Sequence, residues 1–205
     1  MNKDKRKGLF VVIEGPHGAG KTTTAKELVR LLREKSLEAR YTKEPFSPRL
    51  KERIAALASK NSSNPVALAC LIAADRYIHL EQIDAWLSIG SIVVCDRYKM
   101  SSTVYQQIDG VSIPFIEKLN SLAREPDLTF LLRVSLEARR ERFKEQIRKD
   151  VQHIFFQENA FRAEQEIYDA ISNTRQKNVE VIDGTEPIRT VVRKMMERLE
   201  LALSK

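Results

Sequence analysis

LFVVIEGPHGAGKTT, residues 9–23, decides the fold of this chain. The stretch opens with a continuous apolar run, which predicts a strand buried on both faces. The run ends at Gly15, where the pattern Gly-x-x-x-x-Gly-Lys-Thr begins, and a helical period of apolar residues follows from Ala25 to Leu32. Strand, glycine-rich loop and helix in this order are the context in which that pattern forms a phosphate-binding P-loop.

Each part of this loop has a predicted role toward a nucleoside triphosphate. The glycines let successive backbone amides point into one concavity, and the helix that starts near Lys21 adds its positive dipole end. Lys21 is placed to reach the β- and γ-phosphates, and Thr22 to ligate Mg²⁺. The predicted phosphate-binding residues are Gly15, His17, Gly18, Ala19, Gly20, Lys21, Thr22 and Thr23.

Size and composition predict one α/β domain over residues 1–205. The formal charge of +7 suits anionic small-molecule ligands. The sequence has no zinc pattern and no aromatic-interleaved basic stripe, so this charge does not indicate nucleic-acid binding. Cys70 and Cys95 lie in apolar segments, where we expect reduced thiols. With no apolar run of membrane-spanning length and no signal-peptide pattern, we expect a cytoplasmic protein.

Four further strands are predicted, with helical patterns between them. They cover residues 39–45, 91–95, 128–132 and 179–184, the last including its turn. Because strands and helices alternate along the whole chain, we expect a doubly wound parallel sheet of about five strands flanked by helices, the P-loop NTPase fold. In such a sheet ligands bind at the carboxyl ends of the strands.

Charged residues follow the third predicted strand at this ligand-binding edge. Asp96 and Arg97 come directly after the buried run 91–95. The Asp96 carboxylate suits Mg²⁺ or its water shell, and the Arg97 guanidinium suits bidentate contact with a phosphate. With a P-loop on a neighbouring strand, a functional role is favoured over a structural one.

Two other charged positions allow two interpretations each. Glu44 ends the second strand before Pro45, and is either a ligand-binding carboxylate or a solvated loop residue. Asp75 and Arg76 lie within the apolar helix predicted over 66–87. They form either a buried ion pair, or Arg76 points into a site, because a buried charge needs a partner.

A basic run from Arg139 to Lys149 follows the fourth strand. Such a run is usually the solvated face of a helix. In a phosphate-transfer enzyme the same run can form a mobile lid that brings positive charge to the transition state, here over residues 139–153.

Taken together, these residues resemble the thymidylate kinase family of P-loop nucleoside monophosphate kinases over nearly the whole chain. The resemblance rests on five motifs in their order: the loop at 14–23, KEP at 43–45, ADR with a histidine at 74–79, DRY with the following polar residues at 96–106, and PDLT at 126–129. It implies ATP and Mg²⁺ as cofactors, phosphoryl transfer to dTMP or a close pyrimidine deoxynucleotide, and a homodimer.

The resemblance also implies roles for single residues. Lys21, Asp96, Arg97 and the lid residue Arg148 would assist the transfer, Thr22 and Asp96 would hold the metal, and Arg142 would pack on adenine. Arg53 would bind the acceptor phosphate, Arg76 would read the pyrimidine base, and Tyr105 would pack under the sugar and disfavour a ribose 2′-hydroxyl. The implied acceptor-binding residues are Glu44, Arg53, Ile72, Arg76, Arg97, Ser101, Tyr105 and Gln106.

Four positions depart from the pattern of this family. His17 replaces an acidic residue that approaches the sugar 3′-hydroxyl, and Ile72 replaces a phenylalanine that stacks on thymine. Lys43 replaces an arginine, and the segment 153–156 replaces an acidic-arginine signature after the lid. An imidazole is not the hard oxygen ligand that Mg²⁺ prefers. Phosphoryl transfer from ATP is compatible with all four changes, but the identity of the acceptor stays open.

Two alternatives therefore remain beside a dTMP kinase. A deoxynucleoside kinase would use Glu44 as general base toward a sugar hydroxyl. A nucleotide-binding or nucleic-acid-binding module with weakened catalysis is compatible with the basic surface and with His17.

Overall fold

The computed structural model describes residues 8–58, 64–149, 158–174 and 176–203. Its strands are β1 (Leu9–Glu14), β2 (Ala39–Lys43), β3 (Ile92–Asp96), β4 (Leu128–Arg133) and β5 (Val179–Asp183). Its helices are α1 (Lys21–Glu34), α2 (Pro48–Ala58), α3 (Pro65–Ser88), α4 (Lys99–Ile108), α5 (Ile113–Leu119), α6 (Leu136–Lys149), α7 (Glu158–Ser172) and α8 (Ile188–Leu203).

The five strands form one parallel sheet in the order β2-β3-β1-β4-β5. The strand β1 lies in its middle, and Val12 pairs with Cys95 of β3 on one side and with Thr129 of β4 on the other. Alternate β1 residues face two different cores. The doubly wound parallel sheet predicted from the alternating pattern is therefore confirmed.

One core lies between the sheet and the helices α1 and α8. There Val11 and Ile13 pack with Leu28, Val192 and Met195. On the other face, Phe10 and Val12 pack with α3. Because β1 buries side chains on both faces, its sequence reads as a continuous apolar run rather than an alternating one.

The P-loop between β1 and α1 has backbone angles that only glycine adopts easily. Gly15 has φ +141°, and a Cβ there would lie 2.7 Å from the carbonyl oxygen of Leu132. Gly20 precedes α1 with φ +92°. The predicted glycine-dependent turn is thus present, and it ends where the free amides of α1 begin.

The long helix α3 has local start and stop signals. The Asn64 side chain accepts a hydrogen bond of 2.9 Å from the amide of Ala67, and Pro65 takes the first helical position. Gly90, with φ +86°, follows the end of the helix. None of the described helices combines the length and apolar character that a bilayer-spanning segment requires.

The amphipathic pattern of the sequence runs from residue 113 to 123, but α5 ends at Leu119. The Asn120 side chain donates a hydrogen bond of 2.7 Å to the carbonyl of Ile116 and accepts one from Arg76. An asparagine that bonds nearby backbone competes with continuation of a helix. The helical pattern of the sequence over residues 155–171 corresponds to α7, and residues 155–157 lie outside the described part of the chain.

Candidate active site

The P-loop holds Lys21 in a buried position at the first turn of α1. Its ammonium donates hydrogen bonds of 2.7 Å to the carbonyl oxygens of Gly15 and Pro16. Burial, and then the positive charge of Arg97, lower the pKa of Lys21. A bound polyphosphate would supply the negative charge that favours the protonated form.

The residues expected to hold a metal lie together at the carboxyl end of β3. The Thr22 hydroxyl donates a hydrogen bond to Oδ2 of Asp96. Oδ1 of Asp96 is buried and has no hydrogen-bond partner among the described residues. Hydroxyl and carboxylate oxygens are ligands that Mg²⁺ prefers, and magnesium sites commonly use one or two carboxylates together with substrate phosphates. The donor set therefore fits Mg²⁺.

Glu14, the last residue of β1, fixes the segment that carries Asp96 and Arg97. One oxygen of its buried carboxylate accepts from the amides of Tyr98 at 2.8 Å and Ser101 at 3.0 Å. The other accepts from the Ser101 hydroxyl at 2.7 Å. These amides belong to the start of α4, where a negative charge is favourable. Sequence reasoning missed this role, although a carboxylate ending a fully buried strand was a signal.

Arg97 is directed by α4. Its backbone has φ +73°, and its guanidinium donates a hydrogen bond of 2.8 Å to the Tyr105 hydroxyl. The Ser101 hydroxyl lies 3.4 Å from the same nitrogen. Three of the predicted acceptor residues are thus in mutual contact, and Gln106 is buried next to them in the same helix.

Glu44 and Arg76 form a buried ion pair across the end of the sheet. Nε of Arg76 lies 3.1 and 3.0 Å from the two Glu44 oxygens, and a terminal nitrogen lies 2.5 Å from Oε2. The guanidinium also donates hydrogen bonds to Ser102 at 2.9 Å and to Asn120, and it lies 5.0 Å from the centre of the Tyr98 ring. Arg76 is only 1% exposed. Glu44 is therefore not a solvated loop residue.

Asp75 and Arg76 do not pair with each other. The Asp75 carboxylate accepts from the backbone amides of Phe46 at 2.6 Å and Ser47 at 2.7 Å. Adjacent residues of α3 thus hold the loop after β2 in two ways, Asp75 through the backbone and Arg76 through Glu44. The requirement that a buried charge have a partner is met separately for each.

Two other predicted acceptor residues lie apart from these networks. Arg53 is exposed on α2, and Ile72 is partly buried on α3, one turn before Arg76. Within the described part of the chain, no hydrogen bond or ion pair ties Arg53 to the other predicted site residues. Their roles toward an acceptor stay predictions.

The basic helix α6 reaches the P-loop through Arg142. Its guanidinium donates to the carbonyls of Gly18 at 3.2 Å and Ala19 at 3.3 Å, and to that of Gly184 at 2.8 Å. The predicted adenine-packing residue therefore contacts the backbone of the P-loop, and its role toward adenine stays a prediction. Of the predicted lid 139–153, residues 139–149 lie in α6, the side chain of Arg148 is outside the described set, and so are residues 150–153.

A cluster that sequence reasoning missed lies where α7 meets the P-loop. Oε1 of Glu164 accepts from the His17 amide at 2.8 Å and lies 2.9 Å from His17 Nδ1. The Tyr105 hydroxyl donates to the same oxygen. The other oxygen accepts from Arg139, whose Nε also donates to the His17 carbonyl at 2.8 Å. The imidazole that replaces the family's acidic residue is thus itself bound to a carboxylate.

This cluster is strongly charged and almost entirely buried. Glu164 is 3% exposed and Arg139 is 0% exposed, whereas the His17 side chain is 55% exposed. Burial alone would raise the pKa of Glu164, but its hydrogen bond and attraction to His17, with the charge of Arg139, lower that pKa to about 2. Glu164 is ionised at neutral pH. Its partners lie 25 to 147 residues away along the chain, which left no local signal in the sequence.

Comparison with known proteins agrees with this geometry. The family model for thymidylate kinase matches residues 13–195. The chain belongs to the thymidylate kinase family. A protein of Methanococcus aeolicus named probable thymidylate kinase is 33% identical over 198 residues, which are 92% of this chain and 96% of the relative. A protein of Caldivirga maquilingensis with the same name is 34% identical over 197 residues, 94% of this chain and 93% of the relative.

A third relative, from Pyrococcus abyssi, matches a shorter region at higher sequence identity. It is also named probable thymidylate kinase, and it is 40% identical over 133 residues, 62% of this chain and 65% of the relative. The resemblance drawn from the five sequence motifs is therefore confirmed, and this family member carries the fold and the P-loop expected of it.

Proposed function

We propose that this chain transfers the γ-phosphoryl group of ATP to dTMP, giving ADP and dTDP. The observation that carries the proposal is one sheet edge that holds both halves of such a site. The P-loop and Asp96 lie at the ends of β1 and β3, and the Glu44–Arg76 pair lies beside them at the end of β2. The chain's membership of the thymidylate kinase family gives the acceptor.

In this mechanism the protein binds and neutralises charge. Lys21 and the P-loop amides hold the ATP phosphates, and Arg97 contacts the group in transfer. Thr22 and Asp96 would hold Mg²⁺, which would supply positive charge to offset the negative charge of the phosphates. Since the acceptor phosphate is already ionised at neutral pH, it attacks in line without a general base.

For the acceptor side we carry over the roles that the family resemblance implies. Arg76, aligned by Glu44, would read the base with Ile72 and Gln106, and Tyr105 would pack under the sugar with Ser101. Arg53 of α2 would bind the acceptor phosphate, and Arg142 and Arg148 of α6 would serve the ATP side. These assignments follow the family resemblance, and each can be tested by substituting the residue.

Glu44 argues against a deoxynucleoside kinase. A general base must lie within hydrogen-bond reach of the sugar hydroxyl, and a positively charged partner weakens a carboxylate as a base. Both oxygens of Glu44 already accept hydrogen bonds from Arg76 in a buried site. A non-catalytic module is disfavoured because Lys21, Asp96 and Arg97 are all in place. We therefore favour the monophosphate as acceptor.

A homodimer and a cytoplasmic location belong to the same proposal. The family resemblance implies the homodimer, and Val66 and Ile78 of α3, which are 48% and 45% exposed, are candidate apolar contacts for it. A second copy of the chain packing on α3 would bury them. Sedimentation of the purified protein tests this, since a monomer at all concentrations contradicts it.

The experiment that tests the function is ADP release from ATP and Mg²⁺ with a panel of acceptors. The panel contains dTMP, dUMP, dCMP, dGMP, dAMP, UMP, thymidine and a sample without acceptor. We expect strong turnover with dTMP. Turnover with thymidine in place of dTMP would support the deoxynucleoside kinase, and ATP binding without turnover would support the non-catalytic module.

A further inference from the structure

Glu164 of α7 meets the P-loop, α4 and α6 through a single carboxylate, and nothing in the sequence pattern marked it. We propose that Glu164 is the positioning residue for Arg97, which it directs through the Tyr105 hydroxyl. The inference rests on the proposed function, because Arg97 is the guanidinium that contacts the transferred phosphoryl group.

The first step is the chain of hydrogen bonds from Glu164 to Arg97. The Tyr105 hydroxyl donates to Oε1 of Glu164 and accepts from Arg97 at 2.8 Å. A hydroxyl has one proton to donate, so its direction is set by the acceptor that takes that proton. His17 Nδ1 also lies 3.2 Å from this hydroxyl, but it is 2.9 Å from the same Glu164 oxygen and can donate its own proton there. Burial raises the pKa of Tyr105, which keeps the phenol protonated. The hydroxyl can therefore donate one hydrogen bond and accept another.

The second step is that Glu164 itself cannot turn away. Its Oε1 also accepts from the amide of His17 at 2.8 Å, and its Oε2 pairs with Arg139. Arg139 is held in turn by Gln165 at 2.7 Å and by the His17 carbonyl. A carboxylate with both oxygens engaged in a buried network keeps one orientation. Tyr105 therefore has a fixed acceptor.

The third step is what the fixed phenol does for Arg97. The guanidinium lies 5.1 Å from the centre of the Tyr105 ring, as well as bonding its hydroxyl. A long side chain in a phosphate site loses rate when its direction is loosened, since a misplacement of about 1 Å costs on the order of 100-fold. Glu164 thus acts on the rate of transfer through Tyr105 and Arg97.

A purely structural ion pair between Glu164 and Arg139 predicts a different behaviour. Removing it would lower the stability of the fold and leave the rate per folded molecule unchanged. The two interpretations separate in a double-mutant cycle on kcat, because only the positioning role requires Glu164 and Tyr105 to act on the same step.

The cycle uses Glu164→Gln, Tyr105→Phe, the double variant and the matched control Glu166→Gln. Glu166 lies two residues along α7 and is exposed. We expect Glu164→Gln and Tyr105→Phe each to lower kcat about 10- to 100-fold, with KM for ATP changed less than about threefold. The double variant should be no slower than the slower single one, and Glu166→Gln should match the wild type. Multiplied losses in the double variant would overturn the inference.

Two further measurements keep the test decisive. Tyr105→Phe leaves the Glu164–Arg139 pair intact, so if Glu164→Gln does not fold, a wild-type kcat in Tyr105→Phe still overturns the inference. A crystal structure of Glu164→Gln gives a readout besides activity, and we expect Arg97 to have left the Tyr105 hydroxyl. Arg97 retained in its place would contradict the positioning role. If neither the wild type nor Glu166→Gln turns over ATP with dTMP, the proposed function fails. The position of Arg97 in the crystal structure of Glu164→Gln then decides whether Glu164 positions it.

Discussion

The phosphate side and the acceptor side of this site are built differently. On the phosphate side, Gly15 to Thr22 are contiguous, and Asp96 joins them from the next strand of the sheet. On the acceptor side, Arg76 is fixed by Glu44, Ser102 and Asn120, which come from three separate segments. The first is a backbone conformation that local sequence determines, and the second is a buried charge network that exists only after folding. Substitutions should therefore reduce rate on the phosphate side and stability on the acceptor side.

The largest effect is expected for Glu44→Gln. It leaves the Arg76 guanidinium buried without an anionic partner, which costs about 3–5 kcal/mol of the free energy of unfolding. Urea denaturation measures it. The control is Glu38→Gln, since Glu38 pairs with Arg40 at the surface and such a pair contributes about 0–1 kcal/mol. A variant as stable as the wild type but inactive would instead restore Glu44 as a general base.

Lys21→Met should lower the rate of phosphoryl transfer without lowering the stability of the fold. Loss of one buried charged donor at the transferred group lowers kcat about 10²- to 10³-fold. Because burial lowers the Lys21 pKa, the folded protein bears a cost for that charge, and the melting temperature should not fall. Lys26→Met, on the exposed face of the same helix, is the control for rate. A strong drop in melting temperature would show that the ammonium has a structural role.

The cluster around Glu164 gives a dependence of stability on pH. Its folded pKa is lowered to about 2, below the unfolded value of about 4.3. The carboxylate facing His17, Tyr105 and Arg139 therefore contributes stability above the unfolded pKa, and this contribution is lost as pH falls toward 2.

Denaturant midpoints of wild type and Glu164→Gln test this between pH 7 and pH 2. The difference in free energy of unfolding should be constant above about pH 5 and should narrow by about 2–3 kcal/mol at lower pH. A difference that stays the same across the range would mean that Glu164 titrates with its ordinary pKa.

Asp96→Asn tests the metal. The variant keeps the shape of the side chain at the end of β3 and removes the negative charge that would bind Mg²⁺. We therefore expect kcat to fall about 10- to 100-fold and the Mg²⁺ concentration at half-maximal rate to rise. Initial rates over a Mg²⁺ titration measure both. An unchanged titration curve would place the metal away from Asp96.

The smallest effect is expected for Ile72→Phe. An aromatic ring at this partly buried position of α3 can stack on a thymine base, which adds about 0.5–1.5 kcal/mol. KM for dTMP should fall about two- to tenfold, with KM for ATP unchanged. A lower KM for ATP with an unchanged KM for dTMP would instead indicate that Ile72 contacts ATP.

Sequence patterns predicted the five strands, their parallel arrangement and the P-loop, because each depends on local periodicity and on glycine conformation. They also placed Asp96 and Arg97 at the correct edge of the sheet. They could not decide the partner of Arg76, since Glu44 and Asn120 are 32 and 44 residues from it in the chain. The contacts of Glu164 could not be predicted for the same reason, since it is one of several acidic residues on an amphipathic helix.

Phosphorus NMR of two mixtures of the protein, ATP and Mg²⁺, one with dTMP and one with thymidine, tests the central claim most directly. The geometry of the P-loop, Arg97 and the Glu44–Arg76 pair predicts that ADP and dTDP appear in equal amounts, with no product from thymidine. Formation of dTMP from thymidine, or no new phosphorus signal although ATP binds, would contradict it.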